Sequence, residues 1–416
     1  MDNPATVKNH GWTVTMAAIG INLALGILYS WSVISKAIPA DWGWTEAQKS
    51  LPYAVACLVF SLMMVPAGRL QDKIGPRVVA SIGGVLVGLG MILASTSTGL
   101  VMFILGFGVL AGTGIGFGYA SATPPAVKWF PKEKVGLIAG LVVSGFGLAS
   151  VYIAPLTEYL TKPDVLGVSK TMLVLGGAFL VVVTLLAQLL KAPPAGYNPN
   201  AKAAAGSAAA APADDYSPME VLRTPQFYLL WFMYACGAGA GLMVIGKLAA
   251  IAKTQANLNL GFLLVAALAV GNGAGRIVAG MVSDRIGRKN TLLIVFLIQA
   301  VMIFLLSRAG AGTALAQPVV LCVLSALIGA NYGANLAIFP SVTKDFYGLK
   351  NFGVNYGLVF TAWGCGGFVL AFAAGKAYDV YKTFAIAYYG SIVLLILAAA
   401  LTFLLKTPKH RGLAAK

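Results

Sequence analysis

Long runs of apolar residues without a single charge constrain this chain more than any other feature. Leu173–Leu190 and Thr383–Leu405 are two of them. A bilayer core of ~30 Å is spanned by a helix of ~20 such residues. In lipid every backbone N–H and C=O must be satisfied within the structure, which leaves helices or a closed barrel. Barrel strands read as alternating segments of roughly ten residues, unlike the unbroken runs seen here. Charged residues make up 10% of the chain, against about 25% in soluble domains. At 416 residues no soluble core would hide so much apolar surface. The expected fold is an all-α membrane protein.

Reading runs between polar or Pro/Gly-rich breaks predicts twelve transmembrane helices, over 12–38, 50–68, 78–97, 100–127, 136–160, 171–190, 226–252, 258–283, 291–307, 315–343, 352–374 and 384–405. The first run is too long for a signal-peptide core and reads as a spanning helix. An even count places both tails on one side. Of the 29 Lys and Arg, 19 fall in the tails and in the loops on the tail side, nine fall on the other side, and Arg276 lies within a span. This bias predicts cytoplasmic termini in a bacterial inner membrane. It also accounts for most of the formal charge of +16, so no nucleic-acid partner is implied.

Cys57, Cys236, Cys322 and Cys365 each sit in an apolar run without CxxC spacing and read as small buried hydrophobes. His10 and His410 are confined to the tails. Neither a disulfide, a metal nor a cofactor is expected.

Residues 191–223 are rich in Ala, Pro and Gly and read as a flexible linker. The expected organisation is a six-helix bundle over 1–190, a cytoplasmic linker over 191–224, and a second, pseudo-symmetric six-helix bundle over 225–416. A repeated motif supports it. Gly68-x-x-x-Asp72-Lys73-x-Gly75-x-Arg77 recurs as Gly280-x-x-x-Asp284-Arg285-x-Gly287-x-Lys289, at a constant offset of 212 residues. Both copies lie between the second and third spans of their half. Internal repeats of this kind build secondary transporters. The charges of each loop are placed to latch one helix to its neighbour; ordinary positive-inside loop charge is the plainer alternative.

The paired loop resembles the hallmark of the major facilitator superfamily. Lys128-Trp129-Phe130-Pro131, Gly136-Leu-Ile-Ala-Gly140, Ser144-Gly145-Phe146-Gly147, Leu222-Arg223-Thr224-Pro225-Gln226-Phe227 and Asn272-Gly-Ala-Gly-Arg276 resemble its monocarboxylate transporter and oxalate–formate antiporter group. The whole chain is similar to bacterial proton-coupled lactate carriers of the monocarboxylate type. The resemblance implies an alternating-access carrier for a small monocarboxylate, such as L-lactate or pyruvate, with a proton as its co-substrate and working as a monomer. There are departures. Asn272 stands where animal relatives carry Asp. Gly26-Ile-Leu28-Tyr29-Ser-Trp31 occupies a region where they place a Lys, and Trp363 stands where oxalate carriers have one.

Charge within the spans singles out a site. All 13 acidic residues lie in loops, tails or helix ends. Lys36, Lys247 and Lys376 are near outer ends, where such side chains snorkel. Arg276 alone is deep in a run, and there an unpaired charge costs at least ~2.5–3.5 kcal/mol. With no acidic neighbour in the spans, a carboxylate substrate is the simplest partner, since a guanidinium matches it bidentately. The alternative is that Arg276 bonds backbone carbonyls. Asn272, one turn away, shares its helix face. Tyr119 lies in a Gly-rich fourth span, and Tyr332 and Asn335 lie in the tenth, Tyr332 falling one residue from the 212-residue repeat of Tyr119. Leu28, Tyr29, Leu336, Phe360 and Trp363 occupy positions that resemble the family's cavity lining; for each alone, ordinary core packing is the plainer role. One cation fits a monoanion better than a dianion. No nucleophile–base pair or metal cluster lies in the spans, so an enzyme is not expected, and a sensor would need an output domain the chain lacks. An organic-anion antiporter of the oxalate–formate type is the second reading.

Overall fold

A computed structural model describes residues 9–194, 197, 215–348 and 350–408. Most of the expected linker, 195–196 and 198–214, and His410 lie outside the described residues. Among the described residues twelve helices are long and apolar enough to cross a membrane: α1 Gly11–Ala37, α2 Glu46–Ile74, α3 Pro76–Ser95, α4 Leu100–Val127, α5 Gly136–Leu160, α6 Gly167–Ala187, α7 Pro225–Thr254, α8 Gly261–Ile286, α9 Arg288–Ser307, α10 Pro318–Tyr347, α11 Phe352–Tyr381 and α12 Ala385–Leu404. The spans fall where the apolar runs place them. The largest extensions, at α2 and α11, add polar turns that continue a helix beyond its apolar stretch.

Side chains sort by solvent. Val181, Leu185, Val301 and Val393 on α6, α9 and α12 are among the exposed large hydrophobics and face lipid. Helices α1 and α7 are the most enclosed. Helix α1 tightens to a 3-10 turn at Gly26–Ser30, in mid-span. At Gly26 an added Cβ would stand 2.2 Å from the Ala149 Cβ and 2.6 Å from the Phe146 carbonyl, so glycine is what lets α1 press on α5.

The repeated loops share one geometry. Gly75 and Gly287 have φ of 88° and 86° and ψ of 157° and 154°, a backbone open to glycine and strained for other residues. Their contacts differ. In the second loop the charged latch is made by Arg288, an unspecified position of the motif. Arg288 donates to Asp284, Ser283 and Asp345, tying the start of α9 to the ends of α8 and α10. The first copy has Pro76 at that position, and there Asp72 accepts from Gln71 at 3.2 Å. Lys289 reaches the Phe403 carbonyl at 3.3 Å.

The first and last six helices meet most extensively along two seams, α2 with α11 and α5 with α8, with α1 also meeting α7. On α11, Cβ atoms at Gly364 and Gly367 would collide with Ser61, Cys57 and Leu242, and one at Gly375 with Ser50 and Glu46. Toward the tail face the facing stripes continue as Gly68 on α2, Gly136 and Gly140 on α5, Gly280 on α8 and Gly353 on α11. At each of these there is open space where a Cβ would stand. The two halves are therefore in close contact at the face away from the tails and stand apart at these glycines toward the tail face, the α2–α11 contact ending about one turn deeper where Gly357 meets Val65.

Candidate substrate site

Arg276 owes its place to how closely α8 and α10 cross. Added Cβ atoms at Gly271 and Gly275 would stand 1.8 Å and 2.1 Å from the carbonyl oxygens of Ala326 and Ala330. Those at Gly329 and Gly333 would stand 2.0 Å and 2.2 Å from the oxygens of Leu268 and Asn272. Small residues four apart let helix backbones touch in lipid. The contact fixes α8 so that the neighbouring face, one residue round from the contact glycines, carries Asn272 along α10 and turns Arg276 to α5.

Both residues are buried, Arg276 at 6% exposure. The Arg276 Nε donates to the Asn272 Oδ1 at 3.2 Å, and Nη1 donates to the Val143 carbonyl of α5 at 2.6 Å. The alternative weighed from the sequence, a bond to main-chain oxygen, is thus part of the arrangement. It is not all of it. Arg276 Nη2 and Asn272 Nδ2 are buried and make no hydrogen bond of ordinary geometry, though the Tyr119 hydroxyl lies close enough to the guanidinium to interact with it. Arginine has no acceptor, so the amide must turn its oxygen to Nε and its NH₂ away. Both of these donors lie 3.3 Å from the point where a Cβ of Gly147 would stand. Glycine at 147 lets α5 come close to both nitrogens, which lie side by side at this point.

Aromatic rings surround this point. Tyr29, Tyr119, Tyr332 and Tyr356 all lie within electrostatic reach of the guanidinium. The Trp363 Nε1 donates to the Tyr332 hydroxyl at 2.8 Å, and the hydroxyls of Tyr332 and Tyr29 are 2.6 Å apart. This chain joins α1, α10 and α11. Phe146 meets Tyr29 and Tyr119 edge-on at 5.0 Å and 5.3 Å. Phe60 packs against Tyr119, Phe360 and Trp363 at 5.4 Å, 5.6 Å and 5.1 Å.

Arg276, Asn272, Tyr29, Tyr119, Tyr332, Phe360 and Trp363 therefore come together, as the sequence suggested. Leu28 is buried in the 3-10 turn beside Tyr29. Asn335 points elsewhere, its Oδ1 against Gly237 of α7 and its Nδ2 on the Asn331 carbonyl at 2.9 Å. Leu336 is buried on α10, one residue beyond. Gly147, Phe60, Phe146 and Tyr356 complete the arrangement; Phe146 and Gly147 belong to the family-like Ser144–Gly147 stretch without an assigned place in the site, and Phe60 and Tyr356 are ordinary residues for apolar helices. Lys247 does not snorkel: it is 2% exposed and paired with Glu46. Lys376 is exposed. Cys57 and Cys236 are buried, whereas Cys322 and Cys365 are half-buried.

The sequence profile of the Major Facilitator Superfamily matches residues 12–306 and 248–416. The chain belongs to that superfamily. Relatives of this facilitator include an uncharacterized MFS-type transporter of Escherichia coli, YhjX, 30% identical with 87% of each chain covered. The oxalate:formate antiporter of Oxalobacter formigenes is 26% identical over 87% of this chain and 85% of its own. The apicoplast pyruvate carrier 1 of Toxoplasma gondii is 26% identical over 76% of this chain and 66% of its own. The fold matches a bacterial homologue of the human lysosomal transporter Spinster, with a TM-score of 0.66 at 16% identity over 96% of this chain and 97% of that one. This facilitator is a multi-pass membrane transporter and not an enzyme, and its relatives lie in the monocarboxylate and oxalate–formate group.

Proposed function

We propose that this facilitator carries a small monocarboxylate such as L-lactate or pyruvate together with a proton, by alternating access around Arg276. One observation carries the reading. Two buried donors, Arg276 Nη2 and Asn272 Nδ2, make no hydrogen bond of ordinary geometry and lie side by side at Gly147, with the Tyr119 hydroxyl near the guanidinium. A buried unpaired donor costs about 1–3 kcal/mol, and more when charged, which an anion's two oxygens would relieve. Tyrosine hydroxyls and the apolar faces of Phe60, Phe146 and Phe360 suit a short carbon chain. A single cation suits one carboxylate. The relatives named for pyruvate and for oxalate and formate support the broader class, a small carboxylate.

In this reading residues 1–190 and 225–416 are the two rocking bundles, 191–224 joins them, and the chain works as a monomer. The 19-to-9 charge bias puts the tails in the cytoplasm of a bacterial inner membrane, so the parted face is the cytoplasmic one. Leu336 and Asn335 then act from behind the site, and the Gly68–Arg77 and Gly280–Lys289 loops gate its cytoplasmic side.

Symport requires that the empty carrier return. Two of the three guanidinium nitrogens already have protein partners, which lowers the cost of moving the unloaded site. Proteoliposomes decide this. Lactate is expected to accumulate when an inward proton gradient is imposed with no anion inside. Uptake confined to vesicles preloaded with a second anion would make the protein an exchanger of the oxalate–formate type.

Asn272→Asp places a carboxylate beside Arg276. Ionised, it occupies the guanidinium and competes with substrate; protonated, it releases it. Uptake by this variant is expected to fall several-fold at neutral pH and to recover as the pH is lowered, a steeper profile than wild type in the same assay. Identical profiles would mean that residue 272 does not face the cargo.

A further inference from the structure

A cluster of charged groups at the face away from the tails has no part in binding the cargo. Lys247 lies near that end of α7. Its Nζ donates to the Glu46 Oε2 at 2.9 Å and to the Glu46 carbonyl at 2.9 Å. The other Glu46 oxygen takes Lys49 at 3.0 Å. Asp379 of α11 accepts from the backbone N–H groups of Glu46 and Ala47, each at 2.8 Å. These are orphan donors of the first turn of α2, where an anion is favoured. Two helices of the last six thus hold the same turn of a helix of the first six. Close by, the Tyr53 hydroxyl of α2 donates to the Leu242 carbonyl of α7 at 3.1 Å.

We propose that Lys247, Glu46 and Asp379 form a charged lock that keeps this face shut and comes apart each time the carrier opens to it. The inference rests on the alternating-access part of the reading above, and is independent of the cargo. A buried ammonium is tolerated while it is paired; removing its partner leaves an uncompensated charge, whereas removing both charges costs little. Opening returns both ions to water. A lone charge in the seam therefore favours the open state, and a seam with neither charge closes again.

Cys57 is a built-in reporter. It is buried, and a Cβ at Gly367 of α11 would stand 3.3 Å from its own Cβ, so the seam covers it. The experiment uses full-length protein in nanodiscs, with Cys236, Cys322 and Cys365 replaced by alanine, and a bulky charged thiol reagent. Glu46→Gln is expected to raise the rate of Cys57 modification about tenfold, an expectation from the orphaned Lys247. Adding Lys247→Met to Glu46→Gln is expected to bring the rate back to within about twofold of the parent, because no buried charge is then left alone. Asp379→Asn, a milder change, is expected to raise the rate in the same direction by a smaller factor. An unchanged rate in both Glu46→Gln and Asp379→Asn, or a Glu46→Gln increase that Lys247→Met does not reverse, would overturn the lock. No substrate is added, so failure here leaves the carboxylate reading standing, and failure of that reading leaves the labelling result intact.

Discussion

Gly271→Val and Gly329→Val are expected to yield little folded carrier. At these positions a Cβ would stand 1.8 Å and 2.0 Å from carbonyl oxygens of the opposite helix, and the atoms met are backbone, which cannot rotate aside. The helices would have to part by more than 1 Å along the contact that carries Asn272 and Arg276. Overpacking typically costs 1–3 kcal/mol, and a rigid backbone partner puts these sites at or beyond about 3 kcal/mol. The check is thermal unfolding and size-exclusion behaviour of purified protein in detergent. Gly177→Ala and Gly390→Ala are the controls. Open space surrounds both positions, and alanine favours the helix by about 0.5–1 kcal/mol over glycine, so these variants should be as stable as wild type or more so. Equal stability of the valine variants would mean that α8 and α10 do not cross so closely.

The second large effect is on transport. Arg276→Ala removes the buried cation, and with it the bonds to Asn272 and Val143. Truncating one partner of a buried charged contact costs about 2–5 kcal/mol, and each ~1.4 kcal/mol is a factor of ten. Uptake at a fixed low substrate concentration is therefore expected to fall by a factor of at least about 30, toward background. Arg276→Lys should fare little better. An ammonium has no planar fork and cannot serve Asn272, Val143 and a cargo oxygen from three separate nitrogens. Stability measured alongside separates loss of function from loss of fold, and wild-type uptake by Arg276→Lys would show that charge alone suffices.

How far the sequence reached can be traced residue by residue. The twelve spans were legible because lipid imposes one rule over every ~20-residue run. The matched turns at Gly75 and Gly287 were legible because a shared backbone geometry needs glycine at the same register in each copy. Arg276 was legible because charge at that depth is costly and rare. What stayed hidden depends on pairing across distant segments. Glu46 reads as an ordinary helix start and Lys247 as a snorkelling end; that they meet is a property of how α2 and α7 pack. Arg288 was passed over because the motif does not specify its position. Phe60 and Phe146 are two among 20 phenylalanines, and nothing in an apolar helix marks which of them faces the centre. Asn335 shows the same limit. The sequence does not say which atoms of a polar residue in a span find partners in the main chain, as the Asn335 Nδ2 does, and which, like its Oδ1, stay buried without one.

A calorimetric titration of the purified carrier with L-lactate, pyruvate and oxalate tests the central claim most directly, performed on wild type and on Arg276→Ala. Saturable binding of a monocarboxylate, weaker binding of the dianion, and loss of all heat in Arg276→Ala are the predicted results. Undiminished monocarboxylate binding by a folded Arg276→Ala protein would contradict the account, since the cargo would then be held by something other than the guanidinium.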